Sequence, residues 1–504
     1  MQLRFDRSTG SSGEMAPASR RAAWQGCVAA ALLCLSACAA GPDYRRPSAQ
    51  LPESFKEGAD WQRAQAAPGK ALSSTWWLDY GDGRLTQLVE AALRANQSIA
   101  AAEAAYRVAQ ATVSATRAAL LPTVSASVSA TRSSSSAATA VINGIRPGVT
   151  NTITASAAAS WEPDLWGKVR RQVEASKATA QASDAQLAGQ RLSIAASVAG
   201  NYFALRQADL DITLLRRQQQ IDERLLAMIQ ANYSVGAASS DQVLFAQDTV
   251  EATIAALQAT QTVREQYEHA LAVLTGIPPG DFAVESAPQY QFTTPAVPLS
   301  LPSQLLERRY DVVVAERNAA AANARIGVAQ AAFYPSLDLA AEGGFQHNRL
   351  AHLFTLPNRF WTLGPTLAET LFDAGARSAA VREARATYDE QVANYRETVL
   401  AAFQSVEDSL SSWNHLQQQA QAYSRIFERN QRLLVSTRTQ RELGTQSEAN
   451  LLTQELTLLQ AEQNLRDTQA SLAQSSVELI RNLGGGWQWD ENRQAASAAA
   501  LPSS

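Results

Sequence analysis

The sequence predicts an α+β membrane protein whose chain is an internal duplication. Three observations carry that reading. Landmarks recur at a nearly constant spacing, long segments keep a seven-residue apolar period, and shorter segments alternate apolar and polar residues with period two.

The duplication is read from ordered matches. Ala102-Glu103 is followed 19 residues later by Pro122, in Ala119-Leu120-Leu121-Pro122, and Ala315-Glu316 likewise by Pro335, in Ala332-Phe333-Tyr334-Pro335. These blocks lie 213 residues apart. Gly167, Gly236 and Gly276 match Gly375, Gly444 and Gly484 at an offset of 208. One five-residue length change between Pro122 and Gly167 reconciles the two offsets. The domain plan that follows is 84–280 for the first repeat, an extended Pro-rich linker at 281–301, 302–486 for the second repeat and a tail at 487–504.

Each repeat has the same internal order. An Ala-rich helical block comes first, at 84–118 and 302–332, and a proline ends it because the ring removes a backbone donor. A period-two segment follows, then two long helical blocks broken near Gly236 and Gly444. Every seventh residue from Val198 reads Leu205, Ile212, Gln219, Leu226 and Tyr233, and the 208-shifted series is Val406, Trp413, Ala420, Phe427, Leu434 and Arg441. A seven-residue apolar period implies coiled-coil packing. Blocks of about 65 residues at 1.5 Å per residue would each reach roughly 100 Å.

In the period-two segments, Val124, Ala126, Val128 and Ala130 alternate with Ser125, Ser127, Ser129 and Thr131. Ile153, Ala155, Ala157, Ala159 and Trp161 alternate with Thr154, Ser156 and Ser160, across a loop expected at 132–152. The second repeat is looser, with Leu337, Leu339 and Ala341 opposite Asp338 and Glu342 and a return strand around Phe360–Leu371. Such strands suit a transmembrane barrel, and the same alternation also suits a half-buried strand of a soluble sandwich. If the strands cross a bilayer, the four that one chain offers leave open edges, which hydrocarbon does not tolerate. The smallest membrane barrels have about eight strands, so closure needs at least two chains.

Composition narrows the function classes. The 504 residues carry a net charge of −4 with 18% charged residues, which gives no nucleic-acid footprint. No segment beyond the N-terminal region offers the roughly 20 apolar residues of a membrane helix. The four histidines, His269, His347, His352 and His415, lack metal-ligand spacing, and neither a nucleophile elbow nor a Walker phosphate loop is present. Gly484-Gly485-Gly486 reads as a helix C-cap. No enzyme, cofactor or metal site is expected.

At the N-terminus, Arg20-Arg21 precede the apolar run Ala29–Leu35, and Leu35-Ser36-Ala37-Cys38 follows. The order is that of a secretory signal over 1–37, with Met15 an alternative start. The last four residues resemble the lipobox of bacterial lipoproteins, which implies cleavage before Cys38 and acylation of its thiol. Residues 38–83 then form a lipid-anchored segment. Ala39 is compatible with sorting to the outer membrane, where an Asp would retain the protein at the inner one. Cys27 and Cys34 lie upstream of Cys38, so the mature chain has no cysteine pair.

Further motifs are specific. Gly41-Pro42-Asp43-Tyr44, Trp76-Trp77 ahead of Leu85, Leu88 and Ala92-Leu93, and Trp161-Glu162-Pro163-Asp164-Leu165-Trp166-Gly167-Lys168 resemble the outer-membrane factor family, the TolC and OprM/NodT group. So do Leu305-Leu306-Glu307-Arg308-Arg309 and Leu371-Phe372-Asp373-Ala374-Gly375. The resemblance runs from Cys38 to about Trp487. It implies a homotrimer sharing one twelve-stranded outer-membrane β-barrel and a long periplasmic α-helical barrel. It also implies a periplasmic adaptor and an inner-membrane transporter, of the proton-driven resistance-nodulation-division type, as partners, and export of small molecules. A duct for secreted proteins and a structural coiled-coil lipoprotein are the alternatives.

Two departures stand out. The family's Arg-Arg-Pro-Asp is Arg308-Arg309-Tyr310-Asp311 here, so a looser helix start is expected. The family's Leu-Leu-Asp-Ala-Gln-Arg is Leu451-Leu452-Thr453-Gln454-Glu455-Leu456, so an acid–arginine gate does not carry over to Thr453 and Leu456. The candidate adaptor-contact tips are Val235-Gly236-Ala237 and Leu443-Gly444-Thr445. The candidate aperture residues are Asp241, Glu448, Glu455 and Thr453. Asp241 and Glu448 are expected to form a ring of six repelling carboxylates in a trimer.

Overall fold

The computed structural model describes residues 40–48, 55–57, 73–134, 149–295 and 309–487. The expected signal peptide and Cys38 lie outside the described residues. The elements are α1 (Gly83–Ala95), α2 (Gln97–Ala118), β1 (Thr123–Ser134), β2 (Val149–Trp161), α3 (Lys168–Ser234), α4 (Ser240–Leu274), α5 (Tyr310–Ala331), β3 (Ser336–His347), β4 (Arg359–Ala368), α6 (Ala376–Glu442) and α7 (Glu448–Asn482).

The duplication is written into element lengths. Helices α2 and α5 are both 22 residues, and strands β1 and β3 both 12, offset by 213. Helices α3 and α6 are both 67 residues, and α4 and α7 both 35, offset by 208. The change of offset therefore falls between the strands of each hairpin. The second long block of each repeat is thus half the expected length. It stops at 274 and 482 because glycines at positive φ, Gly276 and Gly484, turn the chain there.

Three other expectations are corrected. The first helical block is two helices, broken at Asn96, whose side chain accepts from Ser98 and Ile99 N–H and donates to the Leu274 carbonyl. The hairpin strands reach Ser134 and Val149, well into the expected loop, and the return strand ends at Ala368. The described part of the Pro-rich stretch is docked rather than a free spacer: Val284 is buried, and Phe282, Tyr290 and Phe292 pack on the main core.

Among the described residues the fold divides into two compact units that cut across the repeats. One draws on the described residues within 40–45, 110–178 and 320–390, the other on those within 46–109, 179–319 and 391–487. The second unit holds the main core. Asp82 caps α1 by accepting from Arg84 and Leu85 N–H, and α1 buries Leu85, Leu88, Val89 and Ala92. These meet Trp76, Trp77 and Tyr80, together with Tyr202, Phe203 and Leu205 of α3, Val406 and Leu410 of α6, and Leu479 and Ile480 of α7. Burying one such Leu contributes about 1.5–3 kcal/mol.

A buried polar hub closes this core. Asp82 accepts from the hydroxyls of Tyr202 (2.8 Å) and Tyr290 (2.9 Å), and the Arg206 guanidinium lies 4.8 Å from the Tyr202 ring centre. Asp209 accepts from Arg206 (3.0 Å), Arg264 (2.8 Å) and the Ala287 N–H (3.1 Å). The hub fastens residues 282–292 to α3 and α4. Burial pushes the Tyr202 hydroxyl up to about 12, so it stays a donor at physiological pH.

The start of α5 is not loose. Arg309 pairs with Asp311 (2.6 Å) and donates to the Asn482 carbonyl (3.0 Å). The Tyr310 ring lies flat on Gly189 of α3, where an added Cβ would come within 2.2 Å of it. Ring and ion pair replace the rigidity a proline would give.

Candidate functional site

The four strands form one antiparallel sheet in the order β1-β2-β3-β4. Its register is Thr123 opposite Ser160, Trp161 opposite Leu339 and Ser336 opposite Ala368. Because side chains alternate along a strand, this register gathers Val124, Val128, Ala155, Ala159, Leu339, Ala341, Leu363 and Leu367 on one face. Ser125, Ser127, Ser156, Asp338, Glu342, Thr362 and Thr366 occupy the other. On the polar face, Ser127 bonds Ser156 (3.2 Å) and Ser133 bonds Thr150 (2.9 Å) across β1 and β2. The apolar face is bare, with Val128 78% and Leu363 73% exposed. Strand β1 pairs only with β2 and β4 only with β3 among the described residues, so both edges are open.

At the base of the sheet, Asp164 accepts from Val169 and Arg170 N–H and starts α3, and Trp166 stacks on Tyr334 at 4.7 Å while donating to the Pro335 carbonyl (2.8 Å). Asp373 accepts from Gly375 N–H and Arg377 at the matching turn, which holds its carboxyl down to about 2. The segment just past Cys38 is clamped to the same unit. Arg171, nearly buried, donates to the Ala40 and Gly41 carbonyls and pairs with Asp43 (2.9 Å), and Asn323 donates to the Pro42 carbonyl (3.0 Å).

The two helix tips are built alike. After α3, Ala237 N–H donates to Asn232 O (2.8 Å) and Gly236 N–H to Tyr233 O (3.0 Å). After α6, Thr445 N–H donates to Gln440 O (2.9 Å) and Gly444 N–H to Arg441 O (3.0 Å). These are Schellman closures, and they need the left-handed φ of 78° and 74° that Gly236 and Gly444 supply. Open space surrounds both glycines, so conformation and not crowding selects them. Ser239 then caps α4 in a capping box with Gln242, and Ser447 caps α7. Val235 and Leu443 stand exposed at the turns.

Of the acids expected in the six-carboxylate ring, Glu448 is ion-paired within the chain. Glu448 lies 2.5 Å from Arg224 of α3 and 3.0 Å from Arg441 of α6, so its charge is balanced within the chain. Glu455 pairs with Arg438 (3.4 Å), and the Thr453 hydroxyl donates to the Ala449 carbonyl (2.8 Å). Asp241 is the acid left in an exposed first turn, its carboxylate accepting only from Ser240 Oγ among the bonds seen. Leu456 packs with Leu452 and Leu459 of α7 against Leu214, Ile221, Leu225 and Met228 of α3.

One acidic site gave no signal in the sequence. Asp211 of α3 and Asp467 of α7 face each other from different repeats, with Gln207 donating to Asp467 (2.9 Å). Burial, with the Asp467 charge beside it, pushes Asp211 up to about 7, and burial also raises Asp467.

The chain matches the family described as outer membrane efflux protein over residues 88–277 and 301–485. It is 29% identical over 473 residues to the probable efflux pump outer membrane protein TtgC of Pseudomonas putida, covering 93% of this chain and 96% of that one. It is 30% identical over 440 residues to the pyoverdine export outer membrane protein OpmQ of the same species, covering 86% and 92%. Among solved structures it resembles the outer-membrane channel OprN, at a TM-score of 0.79 and 28% identity over 90% of this chain and 100% of that one. It likewise resembles the open state of the Neisseria gonorrhoeae MtrE outer membrane channel, at 0.78 and 27% over 90% and 99%.

Proposed function

Since the chain belongs to the outer membrane efflux protein family, non-enzymatic exit ducts of efflux pumps, we propose that it works as a lipid-anchored homotrimer exporting small molecules. One observation carries closure by several copies: a sheet with one bare apolar face, one hydroxyl-rich face and two open edges. Bare apolar strands suit lipid, open edges do not, and three copies supply twelve strands without an edge. The hydroxyl-rich face then lines a watery lumen.

Relatives named for toluene, antibiotic and pyoverdine efflux support a small-molecule cargo. The partners in this reading are a periplasmic adaptor and a proton-driven inner-membrane transporter of the resistance-nodulation-division type. The two glycine turns are the docking tips, six in a trimer, with Val235, Ala237, Leu443 and Thr445 around them. Asp241, Thr453, Glu448 and Glu455 border the periplasmic aperture. Acylation of Cys38 anchors the chain in the outer membrane, and the clamp on Ala40–Asp43 supports this, since it ties a lipid two residues away to the strand unit.

Deleting the gene and restoring it on a plasmid tests the proposal. Sensitivity to organic solvents or hydrophobic antibiotics should appear on deletion and vanish on complementation. Unchanged sensitivity to every small molecule, with a secreted protein retained in the cell, would assign the duct to protein secretion. Mass spectrometry of the mature N-terminal peptide tests the anchor: an unmodified Cys38, or a start upstream of it, would refute it.

A further inference from the structure

The duplication contains a template for the contact between copies. Within the chain, the return strand of the first repeat, β2, pairs with the outgoing strand of the second, β3. The open edges belong to the equivalent strands, β4 and β1. The equivalence can be checked inside the chain. Shifting β1 by 213 and β2 by 208 carries the pair Thr123–Ser160 onto Ser336–Ala368, which is the register observed between β3 and β4. It likewise carries Arg132–Asn151 onto Phe345–Arg359, also observed. The paired strands of the two hairpins thus share one register.

Resting on the homotrimer reading above, we propose that β4 of one copy pairs antiparallel with β1 of the next in the register that the β2·β3 junction prescribes. The same shifts carry Ile153–His347 onto Trp361–Ser134 and Trp161–Leu339 onto Glu369–Ala126. Thr366 then faces Ser129 of the neighbouring copy, and Leu367 faces Val128.

The residue chemistry agrees with this alignment independently of the template. Leu367 and Val128 both belong to the apolar face, while Thr366, Thr362, Ser129 and Ser133 all belong to the polar one. Slipping by one residue would set every apolar side chain against a polar one and is excluded. The hydroxyl pairs Thr366–Ser129 and Thr362–Ser133 repeat the cross-strand pattern of Ser127–Ser156 and Ser133–Thr150 within the chain. Even-numbered slips keep the faces matched, so the template alone rules them out. Those slips are what an experiment must separate.

Paired cysteines separate them, because directly opposed strand residues have Cα atoms about 4.5–5.5 Å apart, within disulfide range, whereas diagonal neighbours are about 7–8 Å apart and beyond it. Thr366→Cys is combined in turn with Ser127→Cys, Ser129→Cys and Thr131→Cys in the full-length protein. Each variant is assembled in the outer membrane and treated with a mild oxidant. Non-reducing gels of the heat-modifiable fraction, which restricts the reading to folded protein, should show reducible covalent dimers and trimers chiefly with Ser129→Cys. Preferential linkage at Ser127 or Thr131 would overturn the register. So would linkage in a Ser129→Cys single variant, which signals β1 against β1, or no linkage in any pair while the unmodified protein has the mass of a trimer. A monomeric mass for the unmodified protein would instead refute the homotrimer reading itself.

Discussion

The two repeats meet inside the chain along one junction, and their outer flanks form a second junction that the chain leaves open. In the first, β2 lies on β3, and α3 packs on α7 through Leu214, Ile221, Leu452 and Leu459, with Arg217–Glu462 (3.3 Å) and Arg224–Glu448 beside them. In the second, the counterparts are α6 and α4. Leu452 is fully buried, whereas its counterpart Leu244 is 58% exposed. Leu456 and Leu459 correspond to Asp248 and Glu251, and Glu448 to Ser240. Trp166, which locks the sheet base onto Tyr334 and Pro335, corresponds to Ala374. The difference teaches that duplication preserved backbone register while the side chains diverged. The internal seam became apolar and ion-paired, whereas the outer flank is more polar at these positions.

The comparison breaks most readily at the internal side. Asp209→Ala, in the hub that ties α4 and residues 282–292 to α3 beside that junction, leaves buried Arg206 without a carboxylate and Arg264 with Glu268 alone, which costs about 3–5 kcal/mol. The folded, heat-modifiable form is expected to fall sharply on gels. Leu452→Ala should lower the urea midpoint in detergent by an amount equivalent to about 2–5 kcal/mol. Leu244→Ala should leave folding of the single chain within about 0.5 kcal/mol of the parent, as an exposed substitution does. Equal effects of the two would remove the asymmetry between the junctions.

Much of this was legible in the sequence because it depends on backbone chemistry. Pro122 and Pro335, Gly236 and Gly444, and Gly276 and Gly484 mark turns in both repeats, and period-two alternation marked the strands. What was not legible depended on contacts between distant residues. Nothing local shows that Asn96 caps a new helix, that Tyr290 reaches Asp82, or that Tyr310 lies on Gly189. The pairing of Glu448 is legible only in part, since Arg441 lies just across the tip turn while Arg224 is 224 positions away in the chain. For Asp211 and Asp467 the repeat misleads outright, because the shifted positions are Gln419 and Ala259.

Smaller effects sharpen the comparison at the tips and along the seam. Asp241→Asn should reduce cation selectivity in planar bilayers, while Glu448→Gln should raise anion permeability by releasing Arg224 and Arg441. Matching shifts in both variants would mean that Glu448 is not charge-balanced. The Asp211–Asp467 contact gives the internal seam a pH dependence. The folded pKa of Asp211, about 7, lies above the ordinary 3.8, so its neutral form is the one the fold favours. The associated stability is complete below about pH 4 and is lost as pH rises through about 7. The melting temperature should therefore fall between pH 5 and 8, and Asp211→Asn should flatten that fall.

The central claim is that the open junction is closed by further copies of the same chain, three in all. Native mass spectrometry of the detergent-extracted full-length protein measures this directly. A single dominant species with the mass of three chains is expected, each carrying the added mass of its acyl groups. A dominant species of one, two or four chains would contradict it.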